Sequence, residues 1–222
     1  MKGGASNVAA IDPALASYFT NHRLGRLFPW SLYHRPIDRE LRSFLEALPA
    51  GASALNIGCG MFLNLPDLPA HVRYVGTDID PRAVEACRAR YGARGDGVRF
   101  EVAEPMRLPF RDGEFDAAYA TEVIEHTELP EEWLREVMRV VRPGGHVFLT
   151  TPNYASVSLN VIESTALEVV ARLQGFTRKG IHPFQCTAPT LEALVRAVGG
   201  VGPTARVIAL GWVIAIDFGV RG

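Results

Sequence analysis

Residues 54–60 read Ala54-Leu55-Asn56-Ile57-Gly58-Cys59-Gly60, and Asp78 closes a second short apolar run, Arg73–Thr77. Leu55 and Ile57 are apolar, and the first run stops abruptly at two glycines one residue apart. That pattern predicts a buried parallel strand feeding a tight turn against which a ligand lies. An acidic side chain about 20 residues beyond the first glycine is placed to accept hydrogen bonds from both hydroxyls of a ribose. The stretch points to an adenosine-containing ligand.

Which ligand follows from what is missing. A dinucleotide fingerprint needs a third glycine so that helix and strand pack closely around a pyrophosphate. In this register that position is Leu63, preceded by Met61 and Phe62. The Lys-Ser/Thr of a phosphate loop is missing as well. A loop of Met, Phe and Leu suits a ligand without phosphates, and S-adenosylmethionine fits better than NAD.

The composition narrows the class. The chain has 222 residues, 48% of them hydrophobic and 21% charged, with a formal net charge of −1. These values describe one globular domain with a sizeable core. Near-neutral charge argues against nucleic acid as the main partner, since phosphate binding needs a basic surplus. No apolar run reaches the length of a membrane span, and Met1–Ala10 lacks the apolar stretch of a signal peptide. Cys59, Cys87 and Cys186 form no zinc or disulfide pattern. The expectation is a cytoplasmic protein.

Along the chain, 1–11 is small and polar. Residues 12–34 are rich in aromatic and apolar groups and, with an amphipathic helix over Ile37–Leu48, form an N-terminal helical flap over 12–48. The helix carries Ile37, Leu41, Phe44, Leu45 and Leu48 on one face. The flap's aromatics either pack it onto the domain or roof the ligand cleft, and in the second case Tyr18, Tyr33 and His34 are substrate-facing candidates. Two prolines, Pro66 and Pro69, compress the first crossover to a single turn or an irregular segment. Asp80-Pro81 starts a helix to about Tyr91. Strands follow at Val98–Ala103 and Phe115–Ala120, and Pro130-Glu131-Glu132 opens a helix that stops at Arg142-Pro143-Gly144-Gly145. His146–Thr151 is a fifth strand.

Elements alternate over 54–151, which predicts an α/β fold, doubly wound on a mostly parallel sheet with right-handed crossovers. Residues 152–187 exceed a normal connection and read as an inserted substrate cap with a helix near Val157–Gln174. Residues 188–222 hold a last helix, between Thr190 and Val198, and two strands, Ala205–Leu210 and Trp212–Phe218. A hairpin there makes one strand antiparallel.

Four pieces in order resemble the class I S-adenosylmethionine-dependent methyltransferases, in the broad group that includes the ubiquinone-biosynthesis enzymes. They are Leu55–Gly60; Val75-Gly76-Thr77-Asp78-Ile79-Asp80; Leu108-Pro109-Phe110 with Phe115-Asp116; and Glu122-Val123-Ile124-Glu125-His126 with Arg142–Gly145. The resemblance implies a seven-stranded Rossmann-like sheet with an antiparallel terminal strand, and S-adenosylmethionine as cofactor. It implies cofactor contacts at Asn56, Gly58, Cys59 and Gly60, with Asp78 on the ribose and Ile79 against the adenine. Glu104 stands where relatives have an aspartate for the adenine amino group. Pro105 has no N–H to offer the ring, so that contact passes to Met106. Thr121 and Glu122, at the end of the fourth strand, lie beside the transferable methyl. Phe62 replaces the family's usual third glycine.

Methyl transfer needs alignment and desolvation, and a hydroxyl acceptor gains from a base. His126 is the candidate base; its other reading is a group that orients the loop. His182 in the insertion, and Asn153 and Tyr154 just past the fifth strand, are candidate acceptor contacts. No His/Asp/Glu cluster appears at ligand spacing, so no metal is expected. The function implied is methylation of a small molecule, most readily at oxygen, on a natural-product, lipid-linked or sugar acceptor. N- or C-methylation, and a silent cofactor-binding domain acting through a partner, are the alternatives. The oligomeric state stays open.

Overall fold

The computed structural model describes residues 28, 31–62, 64–92, 97–162, 164–165 and 182–222. Tyr18, Leu63, most of the flap before residue 31 and most of the inserted helix lie outside these residues.

The centre is a seven-stranded sheet in the order β3-β2-β1-β4-β5-β7-β6. Its strands are β1 (Ser53–Ile57), β2 (Arg73–Asp78), β3 (Val98–Val102), β4 (Phe115–Thr121), β5 (Val141–Pro152), β6 (Val201–Ile208) and β7 (Val213–Gly219). The first five run parallel, and β7 lies antiparallel to both β5 and β6. The central strands are buried on both faces, as a sheet covered by helices on both sides requires. Strand order reverses between β1 and β4, and open α/β sheets take their ligands in the crevice outside the carboxyl ends at such a point.

Each face carries its own core. On one, α3 (Pro130–Val140) and α5 (Ala188–Ala197) bury Trp133, Leu134, Val137, Leu191 and Val195 against Leu55, Ala118 and Leu149. On the other, α1 (Ser31–Glu46) and α2 (Pro81–Tyr91) bury Leu41, Leu45, Val84 and Cys87 against Ala54, Tyr119 and Phe148. The short α4 (Val157–Ile162) buries Leu159. Among the described residues no helix is long and apolar enough to cross a membrane.

The sequence-based boundaries hold in kind and shift in detail. α1 starts at Ser31, not Ile37, and runs through Pro36. A proline in the second turn removes one backbone donor, yet the apolar face beyond it is strong enough to carry the helix. The first crossover is a single 3₁₀ turn, Leu65–Asp67, as its prolines require. α2 is capped by the Asp80 carboxylate, which accepts from the Arg82 amide at 2.9 Å. β5 begins directly after α3 at Val141, where the sequence suggested a stop. The ladder pairs Phe115 with Val141 and then Ala117 with His146, so 142–145 bulges out of register. The proline–glycine stop is therefore built into the strand as a bulge. β6 likewise starts at Val201 rather than Ala205, with a register shift before Thr204. A 3₁₀ turn, Ala209–Gly211, joins it to β7.

Candidate active site

The glycine turn after β1 holds its shape through three separate constraints. Gly58 has φ +70°, and a Cβ there would meet Val123 Cγ2 at 2.6 Å. The loop after β4 thus packs directly on the turn. The Cys59 amide donates to Thr77 O at 2.8 Å, which binds the turn to β2. The Gly60 amide donates to Asp78 Oδ2 at 2.8 Å, and the Asp80 amide to Asp78 Oδ1 at 2.9 Å. Asp78 is buried, and burial pushes its carboxyl above the usual range of 3.8 despite those amides. Above Gly60, a Cβ would meet nothing within 4 Å, so the turn opens on space there.

Phe62 occupies a left-handed conformation with φ 45°, the backbone that explains a glycine at this position in relatives. Its ring turns into the core against Tyr74 and Phe100, with centroids 6.2 and 6.0 Å apart. The Tyr91 hydroxyl donates to its carbonyl at 2.9 Å. The side chain that stands in place of the family's glycine is core packing. Cys59 and Cys87 both sit under the turn, with sulfurs 3.7 and 3.2 Å from Gly60 O. The Cys87 neighbour and burial push the Cys59 thiol up, so it is an inert packing group.

Beside Asp78, Ile79 is 56% exposed, which leaves its side chain open to a ligand at the end of β2. The Ala103 amide donates to Asp78 O at 3.0 Å, which brings the turn Glu104–Arg107 next to the end of β2. Glu104 is exposed, and Pro105 and Met106 are half-buried. Asn56 lies under the turn with its Oδ1 buried and no hydrogen-bond partner.

The ends of β4 and β5 form the second wall. Glu122 has φ 59°; its amide donates to Thr150 O at 3.0 Å, and the Thr150 hydroxyl donates back to Glu122 Oε1 at 2.9 Å. Tyr33 of α1 donates a short hydrogen bond to Glu122 Oε2, with His34 edge-on to the Tyr33 ring at 5.2 Å. The flap's first described turn therefore reaches the end of β4. Asn153 is buried and spent on backbone: its amide nitrogen donates to Gly211 O at 2.9 Å, and Oδ1 accepts from the Ala155 amide.

Past β4, a 3₁₀ turn Ile124–His126 buries Glu125 to 1% exposure and leaves His126 exposed. Thr151 donates to Glu125 Oε2 at 3.1 Å. His182, 3% exposed, lies edge-on to His126 with ring centroids 4.9 Å apart. The Tyr154 hydroxyl lies 2.7 Å from His182 Nδ1. One ligand atom from each of Glu125, His126 and His182 comes within 4.8 Å of the others. Spacing in the sequence suggested no such cluster; the fold assembles one. Glu125 is the member that sequence reading left out, and the Glu-x-x-Glu-His spacing after β4 is the signal that could have found it. The candidates Tyr33, Glu122, His126, Tyr154 and His182 are brought to one end of the sheet, while Asn153 braces it from behind.

Residues 55–149 match the model of a methyltransferase domain family. A 27-O-demethylrifamycin SV methyltransferase of Amycolatopsis mediterranei (strain S699) is 35% identical over 60% of this chain and 56% of its own length. A tRNA (carboxymethyluridine(34)-5-O)-methyltransferase of Arabidopsis thaliana is 29% identical over 64% of this chain and 32% of its own. The chain thus spans about half or less of the length of these curated relatives. A solved S-adenosylmethionine-dependent methyltransferase from Aquifex aeolicus superposes with a TM-score of 0.66 at 13% identity, covering 95% of this chain and all of its own. Residues 55–149 thus match a methyltransferase domain family, and the fold is that of solved S-adenosylmethionine-dependent methyltransferases.

Proposed function

We propose that this chain methylates a hydroxyl oxygen of a small, partly apolar acceptor. The observation that carries the reading is the contact between Val123 and Gly58, which sets the polar groups after β4 directly against the glycine turn. A nucleoside seat and a cluster of carboxylate, imidazole and phenol groups thus share one crevice.

The residues fit the cofactor. Gly60 offers backbone with open space above it, while Gly58 lets the loop of Val123 close on the turn. Asp78 would accept from the ribose hydroxyls, Ile79 would cover one face of the adenine, and Glu104 and Met106 would meet its edge. The buried, unpartnered Asn56 Oδ1 is an acceptor under the same turn. When bound, S-adenosylmethionine supplies a methyl on a cationic sulfur; the acceptor oxygen forms the new O–C bond as the C–S pair returns to sulfur. The protein's share is to align the acceptor and to ease loss of the hydroxyl proton.

For the acceptor wall, Tyr33 and Glu122 stand on one side and His126, Tyr154 and His182 on the other. A hydroxyl arriving there meets acceptor and donor groups on both sides, which supports oxygen over an unactivated carbon. The net charge of −1 supports a small acceptor over tRNA, because it gives no basic footprint for a phosphate backbone. Calorimetric titration with S-adenosylhomocysteine, with NAD as control, tests the cofactor half. Mass spectrometry of a hydroxylated natural-product panel incubated with S-adenosylmethionine tests the acceptor half. Binding of NAD alone, or methyl transfer only to tRNA, overturns the reading.

A further inference from the structure

We infer that Glu125, His126 and His182 form a site for a divalent first-row transition-metal cation at the acceptor end of the crevice. The three groups come from two places far apart in sequence, yet one ligand atom of each lies within 4.8 Å of the other two. Ligands held about 2.1 Å from a zinc-like cation lie about 3.4 Å apart in a tetrahedron. The three groups must draw together to reach that spacing, and His126, the exposed member, has the room to turn.

Three further features belong to a metal centre rather than to a chance cluster. The donor set is two imidazoles and one carboxylate, the combination that suits zinc, cobalt, iron or manganese and leaves coordination positions open for water or substrate. Magnesium and calcium prefer oxygen-only shells. The supporting shell is also built. Thr151 donates to Glu125 Oε2, and Tyr154 holds His182 at Nδ1, so Nε2 is the nitrogen that would ligate. Such outer partners orient metal ligands and set the imidazole tautomer. Finally, the site is asymmetric: Glu125 and His182 are buried and His126 is exposed, so the cluster is reachable from solvent on the His126 side.

The catalytic consequence rests on the methyltransferase reading above. An acceptor hydroxyl bound to the cation is a stronger acid, and its proton leaves to water, so the nucleophilic oxygen forms without a protein base. His126 is then a ligand, in place of the candidate base or loop-orienting group read from the sequence.

The test uses the full chain, stripped with EDTA and titrated with Co²⁺, whose visible spectrum reports its ligands, alongside titration with S-adenosylhomocysteine. A single Co²⁺ per chain, displaced by Zn²⁺, is the expected result. Affinity should fall about tenfold or more in His126→Ala and in Glu125→Gln, as losses of metal-site groups do. It should stay unchanged in His71→Ala, which removes an exposed imidazole bonded to Leu48 O. Glu125 is buried and its variant can lose fold; His126 is exposed, so His126→Ala keeps the test decisive, with S-adenosylhomocysteine binding as the fold control. No Co²⁺ binding by the parent chain, or equal binding by parent and His126→Ala, overturns the site. A chain that binds S-adenosylhomocysteine but no Co²⁺ sinks the metal alone, whereas one that binds Co²⁺ at these residues but no S-adenosylhomocysteine sinks the methyltransferase reading.

Discussion

Asp78 has two demands on one carboxylate. Its oxygens brace the turn through the Gly60 and Asp80 amides, and the same oxygens are the ones a ribose would use. A carboxylate oxygen accepts more than one hydrogen bond, so the brace and the ligand coexist. Hydrogen bonds to a charged group contribute about 1.5–3 kcal/mol. Asp78→Asn should therefore weaken S-adenosylhomocysteine binding about tenfold or more by calorimetry, and unchanged affinity in a folded variant refutes the ribose assignment. The pH dependence has a definite sign. Ribose hydroxyls donate to the ionised form, and burial raises the Asp78 pKa above 3.8. Affinity should thus fall as pH drops through that raised value, earlier than an ordinary aspartate allows. In Asp78→Asn this dependence should vanish.

The turn and the loop after β4 act as one unit, and Gly58 is where they meet. An alanine there keeps a φ of +70° and drives its Cβ to 2.6 Å from Val123 Cγ2. Left-handed backbone costs about 1–2 kcal/mol for a residue with a Cβ, and overpacking about 1–3 kcal/mol more. Gly58→Ala should lower the urea midpoint accordingly and displace the loop that carries Glu122–His126. Adding Val123→Ala should recover the packing share and leave the backbone share. Equal midpoints for the single and double variants would show that the contact is soft. This level also marks where sequence reading stops. Strand and helix types were legible from periodicity, and the glycine pair and Asp78 from their spacing. The bulge at 142–145 was not, because proline and glycines read the same in a stop and in a bulge. The Glu-x-x-Glu-His spacing marks Glu125 and His126, but their union with His182 was hidden for another reason: burial of Glu125 and the return of the 182–187 segment are tertiary facts. Spacing along the chain carries no trace of the Phe184 amide donating to Glu125 O at 3.2 Å.

At the scale of the whole molecule, the two ends of the sheet differ. The candidate ligand groups lie at the carboxyl ends of β1, β2, β4 and β5, while a charged tie centred on Asp116 lies at the opposite end. Asp116, near the start of β4, accepts from the Ser53 amide and hydroxyl at 2.8 and 3.0 Å and from Arg142 at 2.8 Å. It joins β1, β4 and the bulge of β5 at one point. The Ser53 amide first, with Arg142 adding, holds its carboxyl below the usual 3.8. Glu136 beside Arg139 and Asp80 beside Arg82 are lowered in the same way. A carboxyl lowered by folding adds stability above its ordinary pKa, and that stability is lost as pH falls through the folded value. The chain should therefore lose stability steeply below about pH 4, with Asp116 carrying part of the slope. Asp116 is partly exposed, so Asp116→Asn should cost only about 1 kcal/mol near neutrality. The variant should also shed part of the acid slope in urea midpoints taken across pH. Because Asp116 sits at the far end of β4 from Glu122, S-adenosylhomocysteine affinity should not move. An acid slope identical to the parent's would remove Asp116 from the set of groups that titrate with folding. A drop in affinity would mean that the two ends of the sheet are coupled through β4.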